Sequence, residues 1–440
     1  MGARLKREGG EHSRRDVDGG GQDEVGVKAP AVAPLRDLWT GLFEHRLIGR
    51  AVLAMTVYAA AAIASLATVI IARRDLPPDT LRILLSYLVI ATISAGLEPG
   101  TTKAAALMNG GQELPPVGAV LIISTVKAIL AAAILALIWK LSAPGVTLRV
   151  LLLTPLITVA GFCTTDLRVK MDLEDHHTRA IAFKQISTVA SAIVATLMML
   201  RGVSAFWAIL AASLFRFAML APALHESAPW RAVSHSARDL VKDTRWIEFA
   251  GASALSATTG SIDRLFALHF LPAAALGGYY VTFEILSRFW LLPYLMVPIL
   301  FARRVRGEAS GGFLRGAWII TAIAATAFMT LLSLIVLIRP PIVAALAGRR
   351  MDSASLALAA AVVISSFNQL RIAELQASGR GRRVILVLSA SVVWATLIFW
   401  VFARYFGAAG LMWGWALRTC LDFLGMRFFA TSARMFSAKS

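Results

Sequence analysis

The chain has 440 residues, 58% of them hydrophobic and 16% charged, with a formal net charge of +18 and a mean hydropathy of +0.69. Soluble domains carry about 25% charged residues, so this composition excludes a soluble multidomain enzyme, a disordered chain and a disulfide-stapled secreted scaffold. It leaves an all-α polytopic membrane protein whose excess of Lys and Arg is explained by cytoplasmic loops rather than by a nucleic-acid partner.

Residues 1–40 mix acids and bases around Gly19, Gly20 and Gly21 and offer almost no large apolar side chains. Such a segment cannot offset its ordering entropy, and the expectation is a disordered cytoplasmic tail. Leu38, Trp39, Leu42, Phe43 and Leu47 follow at roughly helical spacing. They form either a short interfacial helix or the start of the first span. From there, stretches of about 20 mostly apolar residues recur. Spans are expected near 47–72, 83–108, 117–139, 150–168, 181–200, 205–224, 247–268, 277–301, 316–338, 353–377, 384–403 and 409–428. The seventh is distinctly polar, with Ser253, Ser256, Thr258, Thr259, Ser261 and Asp263.

With the N-terminus inside, 29 Lys and Arg fall on the inner side and ten on the outer. That asymmetry predicts two cytoplasmic termini. The polar, basic loop at 225–246 divides the spans six and six, so the halves enter the membrane in the same direction and a parallel repeat is allowed. The expected organisation is a tail (1–40), a six-helix lobe (41–224), a cytoplasmic linker (225–246), a second six-helix lobe (247–430) and a short tail (431–440). An internal echo agrees with it: Leu76-Pro77-Pro78-Asp79-Thr80-Leu81 joins spans one and two, and Leu271-Pro272-Ala273-Ala274-Ala275-Leu276 joins spans seven and eight.

No loop between spans is long enough to fold as a domain, and there is no phosphate-binding, nucleophile-elbow or zinc-helix motif. Neither an enzyme nor a bound cofactor is expected. Asp172, Glu174, Asp175, His176 and His177 have metal-capable side chains but no ligand spacing, and read as a polar loop. Gly379-Arg380-Gly381-Arg382-Arg383 reads as an inward-facing charge cluster. Cys163 and Cys420 lie in apolar runs and read as small core residues.

The informative residues are ionic groups within the spans: the bases Lys127, Arg216, Arg264, Arg288 and Arg418, and the acids Glu98, Asp263, Glu284, Glu374 and Asp422. A base at a helix centre costs about 2.5–3.5 kcal/mol, so such groups normally face a bundle interior or a wet cavity. Some have local alternatives. Glu284 with Arg288, and Arg418 with Asp422, are four apart on one helix. Arg216 and Arg264 could snorkel from span ends. Asp263 and Arg264 are neighbours that do not face each other. Lys127 is either a cavity residue or an interhelical partner of Glu98. Taken together, the set favours a water-filled cavity with basic groups in excess, which suits an anionic substrate bound through phosphate or carboxylate.

The stretch Ile71-Ala72-Arg73-Arg74-Asp75-Leu76-Pro77-Pro78-Asp79, continuing through Tyr87 to Ala95-Gly96-Leu97-Glu98-Pro99-Gly100, resembles the first hairpin of bacterial polysaccharide transporters. These are the O-antigen-type oligosaccharide flippases of the multidrug/oligosaccharidyl-lipid/polysaccharide (MOP) flippase superfamily. Asp263-Arg264, Gly277-Gly278-Tyr279-Tyr280, Pro298 and Phe406-Gly407-Ala408-Ala409-Gly410-Leu411 are similar to later motifs of that family. Leu81-Arg82 stands where the family places a Gly-aromatic pair. The resemblance implies two six-helix lobes related by pseudo-two-fold symmetry and a central cavity lined by spans one, two, seven and eight. It also implies flipping of an undecaprenyl-diphosphate-linked oligosaccharide by alternating access, in a bacterial inner membrane and beside polysaccharide polymerase and glycosyltransferases. Arg264, Arg288, Lys127, Arg216 and Arg418 are then the candidate substrate contacts; Glu98, Asp263 and Glu284 are candidate gating or ion-coupling acids. The other readings are a multidrug and toxin extrusion exporter, which would want net acid in the cavity, and a non-transporting membrane scaffold for glycan assembly.

Overall fold

A computed structural model describes residues 45–108, 114–174, 176–221, 245–307, 311–338 and 351–437, with a few isolated positions between them. The N-terminal tail, nearly all of the 225–246 linker and the last three residues lie outside the described residues. The described residues fold into helices: α1 (His45–Asp75), α2 (Pro78–Gly96), α3 (Thr101–Met108), α4 (Val117–Ser142), α5 (Leu148–Leu151), α6 (Thr154–Leu173), α7 (His177–Leu200) and α8 (Ala205–Ala218). Then come α9 (Arg245–Thr259), α10 (Ile262–Phe270), α11 (Ala273–Ser287), α12 (Leu291–Val305), α13 (Gly311–Ile338), α14 (Ser353–Ala377) and α15 (Gly381–Ser437). In hydrocarbon every backbone N–H and C=O must be satisfied within the segment, which is why an apolar chain of this kind folds into helices.

Nine helical stretches among the described residues are long and apolar enough to cross a bilayer. One of them, Gly381–Phe428, has 48 residues, about 72 Å if straight and more than two bilayer cores. Its path is non-helical at Gly407 (φ 61°, ψ −141°), which divides α15 into two arms and gives two crossings. With the shorter α8 and the interrupted pair α9–α10, the described helices supply the twelve expected crossings. Leu130, Ile134, Leu137 and Leu141 form one outward stripe of α4, as do Leu331, Leu334 and Leu337 on α13. Exposure of that many large apolar side chains at helical spacing marks the lipid-facing surface.

The internal echo is reproduced in the backbone. Pro77 and Pro272 cap α2 and α11 with nearly the same conformation (φ −55°, ψ 148° and φ −64°, ψ 153°). Leu76 and Leu271 donate back to Ala72 and Ala267, while Leu81 and Leu276 donate to the two proline carbonyls, all at 2.9–3.0 Å. Both hairpins lie at the same end of the molecule, the proline-turn end.

Two expected spans are discontinuous. The second breaks between α2 and α3 at Leu97–Gly100, where Pro99 lacks an N–H and Gly100 adopts φ +75°. The seventh breaks at Gly260–Ser261, between α9 and α10. Span eight also tightens into a 3-10 turn at Arg288–Trp290 before α12. The break in span two comes about one helical turn farther from its proline than that in span eight. The largest core cluster joins the halves: Leu84, Leu85 and Ile90 of α2 share it with Leu268 of α10, Leu276 and Val281 of α11, Leu358 of α14, and Phe399 and Trp415 of α15. Contact between the lobes runs through α11 against α1 and α2, α9 against α2 and α3, α10 against α2 and α4, and α12 against α6.

Candidate functional site: a charged seam between two lobes

At the proline-turn end, one arginine of the first lobe ties down the second. The α10 helix ends with unpaired carbonyls, and Arg82 of α2 donates to Leu268 O at 3.1 Å and to Leu271 O at 2.7 Å. Beside it, the Arg73 stem lies across Gly277, where a Cβ would sit 2.9 Å from the arginine Cγ and Cδ. Hydrogen bonds from a charged donor are worth about 1.5–3 kcal/mol, so Arg82→Leu should speed amide exchange in the 268–276 turn by about 10- to 100-fold. Unchanged exchange, read by mass spectrometry of the intact protein, would show that the guanidinium holds nothing there.

At the opposite end the lobes meet across the break in span two. The Ser253 hydroxyl of α9 donates to Gly96 O at 2.6 Å and accepts from the Glu98 N–H, also at 2.6 Å, so that one side chain satisfies both sides of the break. Gly100 packs directly on the α9 backbone. Glu98 pairs with Lys103 (2.7 Å). Lys127 reaches the Pro99 carbonyl (2.9 Å) and lies over the Trp246 ring at 3.6 Å, so its partners are backbone and an aromatic face rather than Glu98. Phe249 and Phe301 stack edge-on, with the Lys103 ammonium 5.3 Å from the Phe301 ring, and Arg306 donates to the Leu173 carbonyl. Among the described residues the two lobes therefore touch at both ends of the seam.

The polarity of span seven is explained by its break. Interrupting the helix frees carbonyls, and two arginines fill them: Arg418 of the second α15 arm donates to Thr259 O at 2.5 Å, and Arg264 donates to Gly260 O at 2.7 Å and Ser261 Oγ at 2.9 Å. Arg418 also pairs with Asp422 (3.1 Å), whose other oxygen accepts from the Trp394 indole at 3.1 Å. Asp263 is fully buried and accepts from the Tyr279 hydroxyl; Arg264 Nε lies 3.9 Å from the Asp263 carboxylate, nearer than the helical angle alone suggests. Around them stand Phe283, Trp290, Phe399 and Trp415, with Arg264 over Phe283 and Arg418 over Trp415. The Tyr280 hydroxyl and Trp290 indole N–H, on the same stretch, are buried without a hydrogen-bond partner. Glu284 and Arg288 form the expected pair one turn apart and keep 22% and 30% of their side-chain surface.

Arg216 is placed differently. It lies within the first lobe, 2% exposed, on a helix whose contacts run to α2, α5, α6 and α7, and neither it nor Arg264 snorkels to a span end. Sequence reasoning passed over Asp166. This α6 carboxylate is fully buried and accepts from Thr101 Oγ1 (3.0 Å) and Ser124 Oγ (2.8 Å), tying α6 to α3 and α4. The signal was an acid inside an apolar run, after Thr164-Thr165. Glu374 pairs with Arg371 on α14. Of the acid and histidine cluster, Asp172 pairs with Arg168 (3.3 Å) and Glu174 with Lys170, both four residues apart at the end of α6. Asp175 lies outside the described residues, and no metal-holding group of His, Cys, Asp and Glu occurs among those that are described. Arg382 of the glycine-arginine loop meets Glu248 at 3.2 Å.

No protein-family model matches the chain, and no curated protein does. Solved structures do. An outward-facing multidrug resistance MATE family transporter of the MOP superfamily matches with a TM-score of 0.61 and 16% identity, over 88% of this chain and 94% of that one. A mutant of the Vibrio cholerae MATE transporter VcmN gives 0.58 and 14%, over 88% and 98%. An inward-facing conformation of a multidrug resistance MATE family transporter gives 0.53 and 14%, over 88% and 99%. These likenesses establish the fold alone: the all-helical, two-lobed membrane architecture that these transporters have.

Proposed function

We propose that the protein is an exporter that flips a lipid-linked oligosaccharide across the bacterial cytoplasmic membrane by alternating access, with both termini in the cytoplasm. The observation that carries this reading is the charge of the seam. Arg73, Arg82, Lys103, Lys127, Arg264, Arg288 and Arg418 lie at or beside it, against Glu98, Asp263, Glu284 and Asp422. A seam with bases in excess suits a diphosphate head, which arginine grips through its planar fork. The ring of Phe283, Trp290 and Trp415, with unpaired donors on Tyr280 and Trp290, supplies what a hydroxyl-rich glycan binds: apolar faces and hydrogen-bond donors. Lobes that touch at both ends of a seam and helices broken within the membrane are parts from which an alternating-access carrier is built.

Arg288 is the test position, because its side chain is less buried than those of Arg264 and Arg418 and its removal leaves a partly exposed Glu284 rather than a sealed charge. Arg288→Ala should stop surface polymer from appearing while the protein stays inserted; undiminished export from a stable variant would remove Arg288 from the substrate path. The multidrug reading has an observation of its own, since MATE transporters share this fold. Protection of cells against cationic dyes, with no loss of surface glycan on deletion, would select it instead.

A further inference from the structure

We propose that the first lobe holds a small monovalent inorganic anion, of halide chemistry, at the Arg216 guanidinium between α2, α7 and α8. Arg216 is 2% exposed, and none of its three guanidinium nitrogens has a hydrogen-bond partner. Arg264 and Arg418, also buried, each find carbonyl or carboxylate acceptors. A guanidinium does not shed its proton inside a protein, so burial without an acceptor leaves a full positive charge that must be neutralised from outside the chain.

The acids within the lobe's spans are already committed. Asp166 is held by Thr101 and Ser124, Glu98 by Lys103, and Asp172 by Arg168. Another base, Lys184 of α7, faces Arg168 and Arg216 as well as Glu98 and Asp172, and its ammonium has a long contact to Ala95 O at 3.4 Å. Polar groups converge on the same place. The Tyr87 hydroxyl of α2 faces Arg216, Ser191 and Ser213. Thr188, one turn from both Lys184 and Ser191 on the same face of α7, carries a buried hydroxyl without a partner. A guanidinium, an ammonium and a free hydroxyl converging with no described carboxylate beside the guanidinium form an anion site, not a cation site. Arg216 and Tyr87 are 2% and 1% exposed, which favours a single halide-sized ion over a lipid phosphate. The site lies off the seam, so it stands apart from whatever the lobes carry.

The test uses the full-length protein in detergent, with sodium chloride or bromide against sodium gluconate at equal ionic strength. Thermal unfolding should shift upward with chloride or bromide, growing with the logarithm of concentration above saturation, and the shift should vanish in Arg216→Gln. Equal melting in all three salts, or the same chloride increment in Arg216→Gln, would overturn the proposal. Thr188→Val keeps the guanidinium and should raise the half-saturating chloride concentration several-fold. Bromide-soaked crystals of the unaltered protein should show an anomalous peak beside Arg216; its absence there at saturating bromide refutes the site without any variant. Stabilisation by inorganic phosphate but not by halide would also refute it, and would assign the pocket to a headgroup phosphate.

Discussion

Gly100→Val should abolish transport, by about two orders of magnitude or more, in a protein that still inserts and accumulates. Gly100 sits at φ +75°, where a β-branched residue is strained by at least about 1–2 kcal/mol. A Cβ there would also lie 2.6 Å from Trp246 O, 2.7 Å from Phe249 Cβ and 2.8 Å from Ala250 N. Those are mostly main-chain atoms of α9, which cannot swing aside as the tip of a side chain would. Relief comes from keeping the lobes apart at that end, and a carrier that cannot close one end cannot complete a cycle. Gly145→Val is the control, because nothing lies within 4 Å of the place its Cβ would take and its φ is ordinary. A Ser253→Cys reporter, in a Cys420→Ser background, should alkylate faster beside Gly100→Val than beside Gly145→Val. Equal labelling with intact export would mean that this end need not close.

Arg418→Met should be the most destabilising of the arginine substitutions, at about 3–5 kcal/mol. Arg418 and Asp422 are each 6% exposed, and losing the guanidinium strands a carboxylate together with the Thr259 carbonyl at the helix break. The double variant Arg418→Met/Asp422→Leu removes both charges and should recover part of the loss, because a neutral pair of similar size has no buried charge to compensate. Full recovery is not expected: Thr259 O and the Trp394 indole would still lack partners. Melting temperatures of the two purified variants decide the matter, and a double variant no more stable than the single would show that the pair is not the source of the effect.

What the sequence disclosed follows from the range of each interaction. Crossings are a property of 20 consecutive residues, so hydropathy located them. The pairs Glu284–Arg288 and Arg418–Asp422 are a helical turn apart and needed no tertiary information. The proline hairpins were visible as a six-residue echo because their geometry is set by the residues they contain. Partners distant in the chain were not visible. Arg82 binds carbonyls 186 and 189 residues away, and a carbonyl has no letter in a sequence. Lys127 looked as though it needed an acid and instead took Pro99 O and the face of Trp246. Span two was read as continuous although Pro99-Gly100 marked its break, because average hydropathy ignores where a single N–H is missing. The serines and threonines of span seven were recognised as unusual, but only the fold shows that Ser253 bridges to span two while Thr259 and Gly260 expose their carbonyls.

The two proline hairpins also differ in a way that makes the halves non-interchangeable. Counting onward from the matching leucines Leu76 and Leu271, the residue at the seventh place is Arg82 in one half and Gly277 in the other. In the first half a long cationic side chain grips the neighbour's turn; in the second a glycine leaves room for Arg73 to lie across it. Equivalent places in the two hairpins thus do opposite jobs, one gripping and one yielding. A chimera with two copies of the second half would carry Leu268 and Gly277 in the places of Arg73 and Arg82, and neither arginine contact would form at this end.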